Sequence, residues 1–378
     1  MMNSKQSGPI RFRGSSFLLL LGLLCVAIGP ITAQPAPKAP AKAKKVIEWG
    51  WDEPDTGFMR ANIEKMEKFP FDGLIFHAKS DKGANLAWEV WGTQKFTAAD
   101  FTKAIEDLKA TKFNRFTDRF LRVNVTPGKV DWFDDEAWGS VQNNFGVAAY
   151  VAREGLCKGF MFDTEQYDGA VTLFDYRQQK DKDKRAFADY QAQVRKRGRE
   201  WIQAVNKEYP GITILLTFGY EMSFRRADKP MDRSTAAYGL LADFLDGVLD
   251  GCTSETVLVD AWEFSYPYKD HKQFQEAYAT ITRKALDQTA VPKRYKDQVK
   301  AGFGLWMDHR RKEWDVAEFS KNYFTPAEFE SSVRSALEVS DEYVWIYTER
   351  PRWWTNEMLP PAYVEALSNA RKPRADVR

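Results

Sequence analysis

The amino-acid sequence predicts a (β/α)8 barrel, because eight short apolar segments alternate with eight longer amphipathic segments. Each short segment is apolar almost throughout, as expected for a strand of a parallel sheet that is buried on both faces. Each longer segment carries apolar residues at helical spacing. A chain of 378 residues can form such a barrel as a single domain.

The order of the segments gives the predicted elements. The predicted strands are 46–51, 73–77, 120–125, 159–163, 212–218, 256–262, 301–306 and 343–347. The predicted helices are 58–68, 97–109, 135–153, 185–208, 235–250, 273–286, 326–340 and 361–371. A doubly wound open sheet is the alternative, but no turn between strand and helix carries the Gly-rich loop that binds nucleotide phosphates. We therefore expect no nucleotide cofactor, and no other cofactor is predicted.

The amino terminus indicates export. Arg11 and Arg13 precede the apolar run 17–28, and small residues end at Ala33, so we predict a signal peptide over 1–33. A Pro-, Ala- and Lys-rich linker over 34–45 then leads to one barrel domain over 46–378. The run is shorter than the roughly 20 apolar residues of a membrane span, so a membrane anchor is the weaker interpretation, as is a lipid on Cys25. We expect a secreted or periplasmic protein that leaves the membrane once the signal is removed.

Composition narrows the class of ligand. A formal net charge of +2 argues against a nucleic-acid binder. The chain has 13 Trp and 14% aromatic residues, which suits stacking on the apolar faces of sugar rings. Only three His are present, without the spacing of metal ligands, so no metal is predicted, although Ca²⁺ or Mg²⁺ held by carboxylates is an alternative. Cys157 and Cys252 could pair after export or remain buried thiols.

Carboxylates end nearly every predicted strand, at the end of the barrel where active sites lie. The sharpest signal is on the fourth strand, where Asp163 and Glu165 are two residues apart and therefore point to the same side. Repulsion between two close carboxylates raises the pKa of one, so we predict Glu165 as a general acid and Asp163 as its modulator. The candidates for a second catalytic carboxylate are Asp163, Glu263, Asp308 and Glu349.

Aromatic and polar residues at the same strand ends are the predicted substrate contacts. They are Trp49, Trp51, Asp52, His77, Asn124, Tyr167, Tyr220, Asp260, Trp262, Tyr266, Trp306, Tyr347 and Trp353.

A strand that ends in Asp-x-Glu, over 162–167, resembles the chitinase-like glycoside hydrolases, in which the Glu is the acid and the Asp orients the substrate. The longer run of acids in that family is absent here, because Lys158 and Met161 occupy its Asp positions. The chain is also similar to retaining barrel glycosidases, which implies pairing of Glu165 with Asp308 or Glu349.

The sequence therefore predicts a secreted glycoside hydrolase that cleaves a poly- or oligosaccharide with paired carboxylates. A non-catalytic glycan-binding barrel of the cell envelope is the first alternative. A hydrolase or lyase that uses Asp260, His77 or His309 as base is the second.

Overall fold

A parallel sheet forms the centre of the protein. The computed structural model describes residues 43–373 except 168–171, 226 and 228–231. The predicted signal peptide and nearly all of the predicted linker lie outside the described residues. The strands are β1 (Lys45–Gly50), β2 (Gly73–Phe76), β3 (Asp118–Asn124), β4 (Gly159–Asp163), β5 (Thr213–Leu216), β6 (Val257–Asp260), β7 (Val299–Ala301), β8 (Phe303–Trp306) and β9 (Tyr343–Thr348).

The sheet is ordered β7-β6-β5-β4-β3-β2-β1-β9-β8, with every pairing parallel. Its two end strands, β7 and β8, are the two halves of one strand that is interrupted only at Gly302; this strand covers the predicted seventh strand, 301–306, and begins two residues before it. The Gly302 N–H donates to the Asp260 carbonyl on β6 (2.8 Å), while β8 pairs with β9. The two halves thus join the ends of the sheet and close it, which confirms the predicted (β/α)8 barrel.

Helices lie between the strands, at or near all eight predicted positions. They are α1 (Thr56–Met66), α2 (Leu86–Glu89), α3 (Thr102–Ala110), α4 (Asp135–Glu154), α5 (Phe187–Glu208), α6 (Leu241–Gly251), α7 (His271–Thr282), α8 (Pro292–Gln298), α9 (Pro326–Val339) and α10 (Pro361–Ala370). Helices α2 and α8 are additional short elements within connections. Helix α6 begins six residues later than predicted, because the segment before it forms turns after the short 3₁₀ helix Arg233–Thr235.

Side-chain oxygens define several helix starts. Asp55 accepts the Phe58 N–H at the start of α1 (2.8 Å), which satisfies one of the unpaired donors of the first turn. Thr325 and Glu328 form a capping box at α9, with Pro326 in the first helical position. These polar side chains therefore fix the residues at which the helices begin.

Alternation along each strand divides the buried residues into two layers. Residues on one face of the strands fill the barrel interior, where Ile47, Met161 and Trp345 belong to a cluster separate from the main core. Residues on the other face, such as Val46 and Phe162, pack against the helices in the larger cluster. Each residue's position in this two-residue period therefore decides whether it can reach the centre of the barrel.

Both cysteines of the barrel are buried free thiols. The sequence left their pairing open, and Cys157 and Cys252 do not form a disulfide in the structure. No helix of the described residues has the length and apolar character needed to cross a membrane.

Gly304 makes room for the largest interior side chain. A Cβ at Gly304 would lie 2.5 Å from the indole ring of Trp345, which is fully buried and donates to the Ala261 carbonyl (2.8 Å). Because that hydrogen bond holds the indole, the ring cannot shift freely to accept an added methyl group.

We expect Gly304→Ala to lower the free energy of unfolding by about 1–3 kcal/mol, the usual cost of overpacking a core. Gly139→Ala is the matched control, because an added Cβ there has no atom within 4 Å. Chemical denaturation of both variants measures the difference. Equal stability of the Gly304 and Gly139 variants would contradict this account of the interior.

Candidate active site

A cavity of about 620 Å³ lies at the carboxyl ends of the strands. It is lined by residues that follow β1, β2, β4, β6 and β9 directly, together with side chains from β1, β3, β8 and β9 and from the segment around α2. The lining residues are Trp49, Gly50, Trp51, Glu53, His77, Asn85, Trp88, Arg122, Glu165, Tyr167, Glu263, Tyr266, Trp306, Tyr347, Glu349 and Arg352. This is the end of a barrel at which active sites form.

Arg122 holds the acidic residues at the base of the cavity. Its side chain is 12% exposed, and its guanidinium lies 3.0 Å from Asp163 and 3.5 Å from Glu53. The guanidinium also stacks near the Trp49 and Trp88 rings, at 5.3 and 4.8 Å. Burial opposes the charge of Arg122, but the two carboxylates outweigh burial and its pKa lies above its usual value.

Asp163 is fully buried and has no contact with the open cavity. Its carboxylate accepts hydrogen bonds from Arg122 (3.0 Å), the Tyr167 hydroxyl (2.9 Å) and the Glu165 N–H (3.2 Å). With its oxygens occupied in this way, Asp163 anchors Arg122 and the turn after β4. Glu165, two residues on, reaches the cavity.

Glu53 is the second anchor of Arg122 and was not among the predicted site residues. It accepts the Trp49 indole N–H (2.8 Å) and lies 3.1 Å from His77 Nδ1. Burial alone would raise the pKa of Glu53, but Arg122 and His77 outweigh burial and the pKa lies below its usual value. Glu53 is therefore an ionised carboxylate within the cavity.

At Glu165 and Glu263, unlike at Glu53, the effect of burial on the pKa outweighs the effect of neighbouring positive charges and hydrogen bonds. Burial and the nearby Asp163 raise the pKa of Glu165. Burial, followed by Glu165 and Asp163, raises the pKa of Glu263 well above its usual value. The carboxyl of Glu263 has no side-chain hydrogen bond or ion pair with the described residues.

The backbone before Glu263 is strained. Trp262 adopts φ 38°, in the left-handed region that a bulky residue rarely occupies. Hydrogen bonds hold this turn, since Asp260 accepts the Trp262 N–H (3.3 Å) and the Ser265 hydroxyl donates to the Trp262 carbonyl (2.6 Å). The strained turn directs Glu263 into the cavity.

Glu349 lines the cavity, whereas Asp308 supports it from behind. Arg311 pairs with Glu349, and the Tyr347 hydroxyl donates to it (3.4 Å). Asp308 is buried and accepts the Glu349 and Arg350 N–H groups (3.0 and 2.8 Å) and the Trp306 indole N–H (2.9 Å). Asp308 thus fixes the segment after β9 and has no oxygen free for substrate.

Aromatic rings form the wall of the cavity between β1, β6, β8 and β9. Tyr266 stacks on Tyr347 at 5.4 Å and meets Trp306 edge-on at 5.6 Å. Trp51 lies at the rim, 58% exposed, where its indole N–H donates to the Tyr347 hydroxyl (3.0 Å). Aromatic rings therefore continue from the wall to the solvent.

A buried carboxyl pair lies behind β1. Glu48 is fully buried on the face of β1 opposite Trp49, next to Asp52 and the Arg352 charge. Burial first, then Asp52, raises the pKa of Glu48 well above its usual value. Asp52 accepts the Trp354 N–H (3.1 Å), which ties β1 to the segment that carries Arg352.

Seven predicted substrate contacts do line the cavity. They are Trp49, Trp51, His77, Tyr167, Tyr266, Trp306 and Tyr347. Among the catalytic candidates Glu165, Glu263 and Glu349 line it, while Asp163 and Asp308 lie beneath its surface.

The other predicted contacts do not line the cavity. Asp52, Asp260 and Trp262 stand on the outward face of their strands or their extensions, and burial raises the pKa of Asp260 to about 7. Tyr220 donates to Asp246 (2.8 Å), Asn124 accepts the Thr126 N–H (2.8 Å), and Trp353 packs on Phe71 (4.8 Å).

The cavity is also lined by residues that were not predicted to be there, namely Arg122, Asn85, Trp88 and Arg352. Arg122 is inward on β3 by the two-residue period, a signal that was present in the sequence. Asn85 and Trp88 come from the long connection after β2, and only the folded chain brings this connection over the barrel. Within the described ranges, no group of three or more His, Cys, Asp or Glu side chains is arranged to hold a metal ion.

The fold and the site together define a (β/α)8 barrel with a carboxylate-rich, aromatic-walled cavity. No protein-family model matches the chain, and no curated protein matches it. Similar solved structures include a GH5-4 broad specificity endoglucanase from Bacteroides salanitronis, at 11% identity and a TM-score of 0.45 over 82% of this chain and 84% of that one.

The catalytic core of a xylanase A is similar at 10% identity and a TM-score of 0.44, over 88% of this chain and 99% of that one. A sugar phosphate isomerase/epimerase from Parabacteroides distasonis is similar at 13% identity and a TM-score of 0.38, over 86% of this chain and 96% of that one.

Replacing Arg122 should destabilise the protein, because it leaves Asp163 and Glu53 without their buried counter-charge. We expect Arg122→Met to lower the free energy of unfolding by roughly 3–5 kcal/mol. Arg60→Met is the control, since Arg60 is 56% exposed and its partner Asp107 keeps a second cation, Lys103 at 3.1 Å, so the loss should be about 1 kcal/mol or less. Urea denaturation compares the two, and similar losses would contradict the role given to Arg122.

Proposed function

We propose that the protein is a glycoside hydrolase in which Glu165 and Glu263 are the catalytic carboxyl groups. One observation carries this proposal: both carboxyls face the same aromatic-walled cavity and both have a raised pKa. Hydrolysis of a glycosidic bond needs one protonated carboxylic acid and one carboxylate beside the scissile bond. Two neighbouring carboxyls with raised pKa values share a proton near neutral pH, and so supply both forms.

The surroundings of the two carboxyls support a division of roles. The charge of Arg122 lies near Glu165 and stabilises its ionised form. Glu263 has no such contact, and its pKa is raised further. We therefore assign the proton, and the role of general acid, to Glu263, and the role of nucleophile or base to Glu165. This assignment differs from the prediction made from the sequence, in which Glu165 is the general acid.

The remaining lining residues suit the binding of sugar rings. Trp306, Tyr266 and Tyr347 present apolar surfaces, while His77 and Asn85 offer polar groups for hydroxyls. The predicted export signal would bring the enzyme to extracellular or periplasmic carbohydrate. Asp163 and Glu53 act through Arg122, as positioning residues.

Substitution of either carboxyl should abolish hydrolysis of oligosaccharides. For Glu263→Gln we expect a fall in kcat/KM of at least about 10²-fold on oligosaccharides, the usual contribution of a general acid. Dinitrophenyl glycosides should lose much less activity, because their leaving group departs without a proton. Glu165→Gln should lose activity on both kinds of substrate. Initial rates on a panel of glycosides measure these effects.

Glu64→Gln, on the exposed face of α1, is the matched control and should retain full activity. The opposite pattern, with dinitrophenyl glycosides spared in Glu165→Gln, would return the acid to Glu165. Binding of glycans without hydrolysis in any variant or in the wild type would support the glycan-binding barrel and reject the hydrolase.

The pH profile should be bell-shaped and displaced upward. As the pH falls, activity is lost when Glu165 becomes protonated, and its raised pKa sets this limb above the usual range of a glutamate. As the pH rises, activity is lost when Glu263 ionises, which its raised pKa delays further. Measured kcat/KM against pH tests this, and the residual activity of Glu263→Gln should lack the alkaline limb. An alkaline limb unchanged in that variant would assign it to another group.

A further inference from the structure

We propose that the carbohydrate bound in this cavity carries an anionic group, a carboxylate or a sulfate, and that Arg352 binds this group beside Trp51. The inference rests on the proposed function and names its substrate class: glycosides of acidic sugars. It follows from the hydrogen-bond donors of Arg352, from the partners of the other arginines near the cavity, and from the distance that Arg352 keeps from the catalytic carboxyls.

Arg352 lines the cavity with hydrogen-bond donors that the described part of the chain leaves unused. Its backbone N–H donates to the Glu357 carbonyl (2.8 Å), which fixes the segment after β9. Within that part of the chain its side chain forms no hydrogen bond or ion pair, and its Nη1 atom is buried without a partner. A buried N–H group of this kind is unfavourable, because it has lost water and gained no other acceptor. The side chain is half-buried at the cavity surface, so an anionic ligand would supply the missing acceptor.

Two buried acids behind β1 attract Arg352 without occupying its donors. Burial raises the pKa of both Glu48 and Asp52, and the positive charge of Arg352 only partly opposes this rise. Asp52 accepts the Trp354 N–H (3.1 Å), and neither acid hydrogen-bonds to Arg352. The two acids therefore help to position the guanidinium, while its N–H groups remain open to a ligand.

The two other arginines near the cavity already have partners. Arg122 lies 3.0 and 3.5 Å from two buried carboxylates. Arg311 pairs with Glu349, and each offsets the charge of the other. An anionic group that enters the cavity would therefore find its free cation at Arg352.

Arg352 lies apart from the catalytic carboxyls. Its segment follows β9, whereas Glu165 and Glu263 follow β4 and β6, at other positions around the closed sheet. The pKa of Glu165 responds to Asp163 and Arg122, and the pKa of Glu263 responds to Glu165 and Asp163, but neither responds to Arg352. An anionic group at Arg352 would thus avoid the repulsion of the reacting carboxyls, and it would belong to a part of the substrate away from the scissile bond.

Trp51 provides a contact for the sugar ring that carries the anionic group. It is 58% exposed at the cavity rim, and the guanidinium groups of Arg352 and Arg311 lie 5.9 and 5.0 Å from its ring. Its indole N–H donates to the Tyr347 hydroxyl (3.0 Å), which holds the ring in place. A sugar that packs on the exposed part of Trp51 would bring its substituents beside Arg352.

The direct test compares sugars that differ in charge. Calorimetry on the wild-type protein would measure binding of methyl glucoside, methyl glucuronide and methyl glucoside 6-sulfate, with the three corresponding galactosides as a second series. At low ionic strength we expect an anionic sugar to bind at least about tenfold more tightly than its neutral counterpart, as charge-assisted hydrogen bonds to a guanidinium imply. The preference should shrink at high ionic strength.

The two anionic sugars distinguish the two sources of the charge. A preference for the glucuronide or galacturonide assigns a carboxylate, and a preference for the 6-sulfates assigns a sulfate. Equal affinities for neutral and anionic sugars in both series, or no detectable binding of any anionic sugar, would overturn the inference.

Variants of Arg352 test where the anionic group binds. Arg352→Met should abolish the preference, whereas Arg352→Lys should keep part of it, because a lysine retains the charge beside Glu48 and Asp52 but not the planar fork of donors. Arg350→Met is the matched control, since Arg350 is exposed in the same segment and does not line the cavity. This variant should keep the full preference. Equal losses in the Arg350 and Arg352 variants, or none in either Arg352 variant, would overturn the assignment to Arg352.

Hydrolysis separates this inference from the proposed function. Polysaccharides of uronic acids would be compared with their methyl esters, and sulfated polysaccharides with their desulfated forms. Faster cleavage of the anionic form of either pair supports both proposals. Cleavage that favours neutral substrates overturns the inference and leaves the hydrolase standing. Binding of anionic sugars that depends on Arg352, without cleavage of any glycoside, supports the inference and rejects the hydrolase.

Discussion

The position of Arg122 is the constraint on which the site depends. A guanidinium buried inside a barrel needs counter-charges, and it finds them in Asp163 from β4 and Glu53 from the segment after β1. The pairing joins three strands at one level and fixes Trp49 and Trp88 on either side. It also occupies the carboxylates of Asp163 and Glu53, whereas Glu165 and Glu263 form no ion pair within the part of the chain that the structure describes.

Most of the barrel could be predicted from the sequence, because continuous apolar strands and amphipathic helices follow directly from burial on both faces of a parallel sheet. The split of the seventh strand at Gly302 was not visible, since it depends on hydrogen bonds to two different neighbours. Export and the extent of the domain remain predictions, because the segments that carry the signal lie outside the described residues.

The site could be predicted in part, and the two-residue period explains the division. Glu165, Glu263 and Glu349 all continue the inward face of their strands, whereas Asp260 and Asp52 fall on the outward face. Applied to every strand, this rule would have excluded the last two. It could not have found Trp88 or Asn85, which reach the cavity from a long connection, nor the turn at Trp262, whose left-handed backbone is maintained by tertiary hydrogen bonds.

Stability and chemistry oppose each other in this cavity. The segment after β9 is held by two backbone N–H groups that donate to Asp308, and the segment after β4 is held by the oxygens of Asp163, so both are well compensated. Glu263 is not compensated: a strained turn holds its carboxyl beside other acids, where ionisation is unfavourable. Nothing in the described fold benefits from that arrangement. A proton relieves it, and the acid chemistry proposed above follows from this uncompensated carboxyl.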